Sequence, residues 1–176
     1  SLLTAAQVLP FYWAGSDAIA ARNTGQTLTL MQYNVLTKSQ DYEVVRHYID
    51  EIDPDLISLQ EMNWDWMNGL RLKEKYPYHL EVPRGDNFGL ALYSKYPLKN
   101  LRSVGFGGSD KYRLPPVPTI VADVVLGEKT HQKVYVVATH PVPPISANYF
   151  ESRNNQIAEI SEALRQVTGP KIVVGD

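Results

Sequence analysis

The sequence predicts an α/β fold in which β-sheets of mixed strand direction are layered with helices. Three observations lead there. Short runs of alternating, β-prone residues recur along the chain, bounded by turn residues. Longer stretches with apolar residues on one helical stripe come between them. Their order is β-α-β-α, then a run of strands of antiparallel type, then α-β, which argues for helix layers around mixed sheets. At 176 residues, 44% hydrophobic and 20% charged, the chain is sized for one domain with a real core.

Residues 1–26 read as an N-terminal extension and residues 27–176 as the domain. The first thirteen, SLLTAAQVLPFYW, are apolar but contain Gln7 and Pro10 and are too short to span a bilayer. Phe11, Tyr12 and Trp13 are of the type found where a helix leaves lipid, so the extension is a candidate membrane-proximal segment. A helix packed on the domain is the competing reading.

Regular patterning begins with residues 27–33 (TLTLMQY), a strand that ends at Asn34. Asp41 is placed to cap a helix with Val44, Val45, Tyr48, Ile49 and Ile52 on one face. Asp53-Pro54-Asp55 ends it, because proline biases the preceding residue away from helix. Residues 56–59 (LISL) form a short buried strand running into Gln60-Glu61. A helix over residues 64–75 follows, then strands at 78–82, 88–93, 98–106, 119–126 and 133–139, with Arg84-Gly85-Asp86-Asn87 supplying a turn. A proline-rich loop at 141–146 leads into a helix with Ile157, Ile160, Leu164 and Val167 on one stripe. Gly169-Pro170 stops that helix, and residues 171–174 (KIVV) make the last strand.

Composition removes several functions. Seventeen basic against nineteen acidic residues give a net charge of −2, and no basic stripe appears. Proteins that bind bulk nucleic acid draw their affinity from such stripes, so there is no strong nucleic-acid signature. The absence of cysteine excludes disulfides, thiolate zinc sites and cysteine nucleophiles. The histidines include no H-E-x-x-H pair, and no G-x-S-x-G elbow occurs. Gly105-Phe106-Gly107-Gly108 follows a strand but runs towards prolines instead of a helix, so it reads as a loop.

Four polar residues share one placement: Asn34, Glu61, His140 and Asp176 each sit at or just past the C-terminal end of an apolar strand. Strand ends converge at one edge of a sheet, where α/β proteins place ligand sites. Two carboxylates, an amide and an imidazole gathered there suit a hard cation and a phosphate. Taken singly, each residue is more often a solvated turn or surface residue; it is the repetition at four strand ends that favours a site.

With those residues in view, the chain resembles the endonuclease/exonuclease/phosphatase superfamily over about residues 27–176. Four blocks carry the resemblance in family order: Tyr33-Asn34-Val35-Leu36, Pro54-Asp55-Leu56-Ile57-Ser58-Leu59-Gln60-Glu61, Val137-Ala138-Thr139-His140-Pro141 and Val173-Val174-Gly175-Asp176. The resemblance implies a DNase I-like four-layer α/β sandwich, of which the N-terminal portion is present. It also implies hydrolysis of a phosphodiester or phosphomonoester by in-line attack of water, with Mg²⁺ as cofactor and Mn²⁺ as the alternative ion. By the same resemblance Glu61 is the main metal ligand, and Asn34 orients the metal or the phosphate. His140 contacts the scissile phosphate or protonates its leaving group, and Asp176 orients or deprotonates the attacking water. Arg153, with Gln156 one turn on, is similar to a family pattern in which the arginine meets substrate phosphate; an ion pair with Glu151 or Glu159 is its competing reading.

Two departures bear on what to expect. Leu36 stands where some nucleases of the family place a second acidic residue. The asparagine of the family's G-D-x-N motif and its C-terminal Asp-His pair have no counterpart up to Asp176. The resemblance therefore implies an incomplete catalytic domain, inactive by itself and prone to self-association through an uncovered sheet face. The Thr-His-Pro-Val-Pro-Pro loop at 139–144 looks most like a bacterial, membrane-linked branch, which implies a membrane-associated or extracytoplasmic location, the cytoplasm being the alternative. Two other functions compete: a non-catalytic binding module on the same scaffold, and a nuclease. The expected partner is a phosphate-ester substrate whose identity is set by loops.

Overall fold

Period-two alternation divides the central strands between two covered faces, and this shapes the whole molecule. The computed structural model describes residues 27–111, 114–127 and 132–176. Its elements in chain order are β1 (Leu30–Asn34), α1 (Tyr42–Ile52), β2 (Leu56–Gln60), α2 (Trp64–Leu70), β3 (Tyr78–Val82), β4 (Leu90–Ser94), β5 (Leu98–Phe106), β6 (Val117–Val125), β7 (Lys133–Thr139), α3 (Ala147–Arg165) and β8 (Lys171–Gly175). They form two four-stranded sheets, ordered β1-β2-β4-β3 and β5-β6-β7-β8. Each sheet contains one parallel pair, β1 with β2 and β7 with β8; the other pairings are antiparallel.

Leu56, Leu90 and Leu92 of the first sheet face Ile120, Ala122, Val124, Val136 and Ala138 of the second, and together they form the core between the sheets. The alternate residues Ile57, Leu59, Ala91 and Tyr93 point outwards and are covered by Val45 and Ile49 of α1 and Trp66 and Leu70 of α2. Outside the second sheet, Val121 and Val137 pack under Ile160 of α3. The result is four layers, helix–sheet–sheet–helix. Because both faces of β2 and β4 are covered, every residue of these two strands is buried.

Several local expectations are corrected. The helix expected over 64–75 ends at Leu70, because Arg71 turns into the left-handed region at φ 51°. The chain then folds inwards to bury Leu72 and Tyr76, whose hydroxyl donates to the Pro54 carbonyl at 3.1 Å. Asp41 makes no capping bond to α1 and instead accepts from the Ser39 hydroxyl at 2.5 Å. On α1 only Val45 and Ile49 are buried, while Val44, Tyr48 and Ile52 are exposed. The reason is topological: β1 is an edge strand, so no strand lies beneath that flank of the helix. β6 begins at Val117, two residues earlier than expected, and Pro118 is tolerated because β7 starts to pair only at Thr119. β4 begins at Leu90, which leaves Phe88 and Gly89 in the loop before it. The expected N-terminal extension, residues 1–26, lies outside the described residues. Among those that are described, no helix is long and apolar enough to cross a membrane.

The loop before β4 is braced against the end of β2. Met62 N donates to the Gly89 carbonyl at 3.1 Å, and Arg84 N donates to the Met62 carbonyl at 3.0 Å. A Cβ on Gly89 would lie 1.7 Å from the Met62 carbonyl oxygen, whereas one on Gly85 would meet only the Trp64 ring, at 3.9 Å. Gly89→Ala is therefore expected to cost about 2–3 kcal/mol in urea denaturation and Gly85→Ala less than about 0.5 kcal/mol. Equal costs for the two would contradict the brace.

Candidate active site

Parallel pairing assembles the site. In β1 and β2 Asn34 is in register with Gln60, so Glu61 emerges beside Asn34. In β7 and β8 Thr139 is in register with Gly175, so His140 and Asp176 emerge side by side. Gly175 allows the second approach to be close: a Cβ there would lie 1.9 Å from the Thr139 carbonyl oxygen. Asn34 then ties the two sheets together. Its Nδ2 donates to Glu61 Oε1 at 2.9 Å and to Asp176 Oδ2 at 2.8 Å. The orientation of this amide is fixed by its own oxygen, which accepts from Leu36 N at 2.9 Å.

Glu61 is held from the other side by Thr37. The Thr37 backbone N–H donates to Oε2 at 3.0 Å, and its hydroxyl lies 3.2 Å from Oε2 and 3.1 Å from the Glu61 carbonyl oxygen. Two left-handed residues make this possible, Leu36 at φ 59° and Glu61 at φ 60°, each at a cost of about 1–2 kcal/mol for a non-glycine residue. The Leu36 turn is anchored by the Trp66 indole, which donates to the Leu36 carbonyl at 3.2 Å. Asn63 anchors it too: its Oδ1 caps α2 and its Nδ2 donates to the Thr37 carbonyl at 3.0 Å. Burial by itself would raise the Glu61 pKa. The donors from Thr37 and Asn34, with the nearby His140, outweigh it and hold the carboxyl below its ordinary value. Glu61 is therefore ionised at neutral pH.

His140 and Arg153 complete the ring of groups. Glu61, His140, Arg153 and Asp176 line one cleft of about 710 Å³, together with residues 86–88 and 141–144. His140 is 8% exposed, its Nδ1 is buried without a hydrogen-bond partner, and its ring lies 5.8 Å from that of Phe88. Arg153 stands over the Phe150 ring at 5.3 Å, and its buried Nε also has no partner. Neither expected ion-pair partner meets it: Glu159 accepts from Gly107 N at 2.6 Å, and Glu151 lies by Ser109 and Lys111. One turn on, the fully buried Gln156 donates to the Thr139 hydroxyl at 2.9 Å, which pins α3 beside the strand end that carries His140.

All five residues singled out in the sequence are thus brought to one place. Sequence reasoning missed Thr37 and Phe88. Thr37 carries no strand-end signal, since it reaches Glu61 only through the left-handed turn at Leu36. Phe88 was absorbed into a strand that begins two residues later.

Burial is the largest influence on His140 and pushes its pKa below the ordinary histidine value, against the opposing pull of Asp176 and Glu61. The imidazole is therefore uncharged at neutral pH. Because the folded pKa lies below the unfolded one, this group's contribution to stability is complete above the unfolded pKa and is lost as pH falls through the window beneath it. An NMR titration of the metal-free protein is expected to place the His140 midpoint below that of an exposed histidine. A midpoint above it would contradict the assignment.

The sequence profile of the Endonuclease/Exonuclease/phosphatase family matches residues 31–176. No curated protein matches the chain by sequence. Among solved structures, truncated TDP2 from Caenorhabditis elegans superposes with a TM-score of 0.65 at 18% identity, covering 85% of this chain and 61% of that one. The human Nocturnin catalytic domain with bound sulfate anion gives 0.64 at 17%, covering 85% and 63%. ANGEL2, a 2′,3′-cyclic phosphatase in complex with adenosine-2′,3′-vanadate, gives 0.65 at 19%, covering 85% and 53%. The chain thus spans less than two thirds of the length of each of these structures. At such identities the likeness shows the DNase I-like fold, and the profile match shows that the chain belongs to the endonuclease/exonuclease/phosphatase family.

Proposed function

We propose that this chain carries the metal- and phosphate-holding part of a Mg²⁺-dependent phosphoesterase, with Mn²⁺ as the alternative ion. One observation carries the reading. A single amide holds the Glu61 and Asp176 carboxylates together in a cleft that also receives His140 and Arg153. That is a pair of oxygen donors for a cation beside two nitrogen donors for a phosphate. Proteins of this family are hydrolytic enzymes and generally use divalent metals, which supports the reading.

The donor set fits Mg²⁺, which keeps several waters and is usually held by one or two carboxylates plus substrate phosphate. Among the described residues no three His, Cys, Asp or Glu side chains are placed to close on one ion by themselves, which does not suit a closed zinc cage. Glu61 would be the first ligand, with Asp176 and Asn34 beside it. When bound, a divalent cation supplies charge neutralisation at the phosphate and acidifies a coordinated water. The rest of the chemistry belongs to the side chains. Arg153, which lines the cleft with no carboxylate of the described residues paired to it, would hold a phosphate oxygen through its guanidinium. His140, uncharged at neutral pH, would donate its ring N–H to the phosphate, whose negative charge would favour protonation and let the imidazole serve the leaving group. Asp176 would accept a hydrogen bond from the attacking water and orient it.

In the full-length protein, hydrolysis of bis-p-nitrophenyl phosphate is expected to require Mg²⁺. Glu61→Gln should lower kcat/KM by at least about 10²-fold, on the scale of losing a key electrostatic group. Thr37→Val, which removes a group holding the ligand, should weaken Mg²⁺ binding about 10–100-fold. Supercoiled plasmid should stay intact, as the lack of a basic stripe leads one to expect. Wild-type rates for Glu61→Gln would contradict the site, and turnover indifferent to metal would contradict the mechanism. A folded protein without turnover would favour the binding-module reading. The 176 residues alone should turn over far more slowly, since they offer the ion only two carboxylates. Robust turnover by a 176-residue monomer would contradict that part.

A further inference from the structure

The chemical groups occupy only one end of the cleft. Its remaining wall is made by Asp86, Asn87 and Phe88 on one side and Pro141, Val142, Pro143 and Pro144 on the other. Three of those four loop residues are prolines, which have no backbone N–H to donate. Phe88 offers only a ring face. A sugar or a polynucleotide backbone is recognised through several hydrogen-bond donors and acceptors. Here the Asp86 carboxylate is already taken by Arg84 and the Phe88 N–H, which leaves Asn87 as the main polar side chain of an otherwise apolar wall. The volume points the same way: about 710 Å³ is the size of a site for an organic ligand rather than for a phosphate alone.

The wall is also held in place. Asp86 Oδ1 accepts from Phe88 N at 3.0 Å and from Arg84 Nε at 2.8 Å, which fixes the turn that presents the ring. Gly89, next to Phe88, abuts the Met62 carbonyl one residue after Glu61. Opposite, Val142 is buried and anchors the proline loop, and Ile145 N donates to the Pro143 carbonyl at 2.8 Å. Both sides of the wall are therefore set relative to the groups that would hold the phosphate. Phe88 stands close to His140, which the phosphoesterase reading assigns to the leaving-group side of the phosphate.

Resting on that reading, we propose that the Phe88–proline wall is a specificity subsite for an apolar alcohol, aromatic or aliphatic, esterified to the phosphate. Phe88 is a specificity-determining residue. It bonds to no reacting atom and selects by contact with the alcohol. Apolar contacts of this size discriminate by about 10–200-fold.

The test measures binding, so it does not depend on turnover. With Mg²⁺ present, inorganic phosphate, glycerol 3-phosphate, phenyl phosphate and hexyl phosphate are titrated into the protein by calorimetry. Phenyl or hexyl phosphate should bind at least about tenfold tighter than glycerol 3-phosphate. Preference for phenyl would indicate stacking on Phe88, and equality of the two plain apolar contact; either supports the subsite. Phe88→Ala should close the gap to glycerol 3-phosphate, and Phe88→Leu, which keeps apolar bulk if the alanine variant folds poorly, should restore part of it. Equal binding of all the esters, or a gap untouched in both variants, overturns the subsite and leaves the phosphoesterase reading standing. No binding of any phosphate overturns both.

Discussion

Two carboxylates on different sheets lie side by side because one amide donates to both of them. Left alone, the like charges of two such neighbouring carboxylates would repel. The Asn34 N–H groups offset that repulsion, and Thr37 adds donors on the far side of Glu61. Everything else in the architecture serves to bring these groups within reach. The core between the sheets sets the distance between β2 and β7, and the parallel register brings out Asn34 with Glu61 and His140 with Asp176 at the same end.

The arrangement is strained where it matters chemically. Leu36 and Glu61 both hold positive φ, which together cost about 2–4 kcal/mol. Only a stable surrounding can hold such a conformation. Trp66 supplies one: it is fully buried against the first sheet, and its indole N–H fastens the Leu36 carbonyl. Burial of a tryptophan is worth about 3–5 kcal/mol on the scale of truncation costs, enough to offset the strain. Gly89 and Gly175 contribute differently, by letting two chain segments approach where any side chain would collide with a carbonyl. The site is thus made of backbone geometry as much as of acidic and basic side chains.

Much of this was legible in the sequence, and the reason is the regularity of strands. Strand ends in parallel units converge, so Asn34, Glu61, His140 and Asp176 could be grouped before any coordinates. Arg153 followed from the likeness to the family, and the missing ion pair with Glu151 or Glu159 leaves it directed at the cleft. What was not legible depends on tertiary context. The exposed flank of α1 arises because β1 is an edge strand, which the helical pattern of Val44, Tyr48 and Ile52 does not encode. Thr37 acts through a left-handed turn at a leucine, a residue type that gives no warning of one. Phe88 was hidden by a strand boundary set two residues early, and with it the apolar wall of the cleft.

Under the phosphoesterase reading, ligands from two separate sheets form one cation site. Mn²⁺ broadens the NMR signals of nuclei close to it, so a titration of the folded chain followed residue by residue tests that claim directly. The signals of Asn34, Glu61 and Asp176 are expected to broaden together at the same Mn²⁺ concentration, ahead of the other carboxylates, with Mg²⁺ competing the effect away. Broadening of Glu61 and Asp176 at unrelated concentrations, or first broadening at another acidic residue such as Asp53, would contradict it.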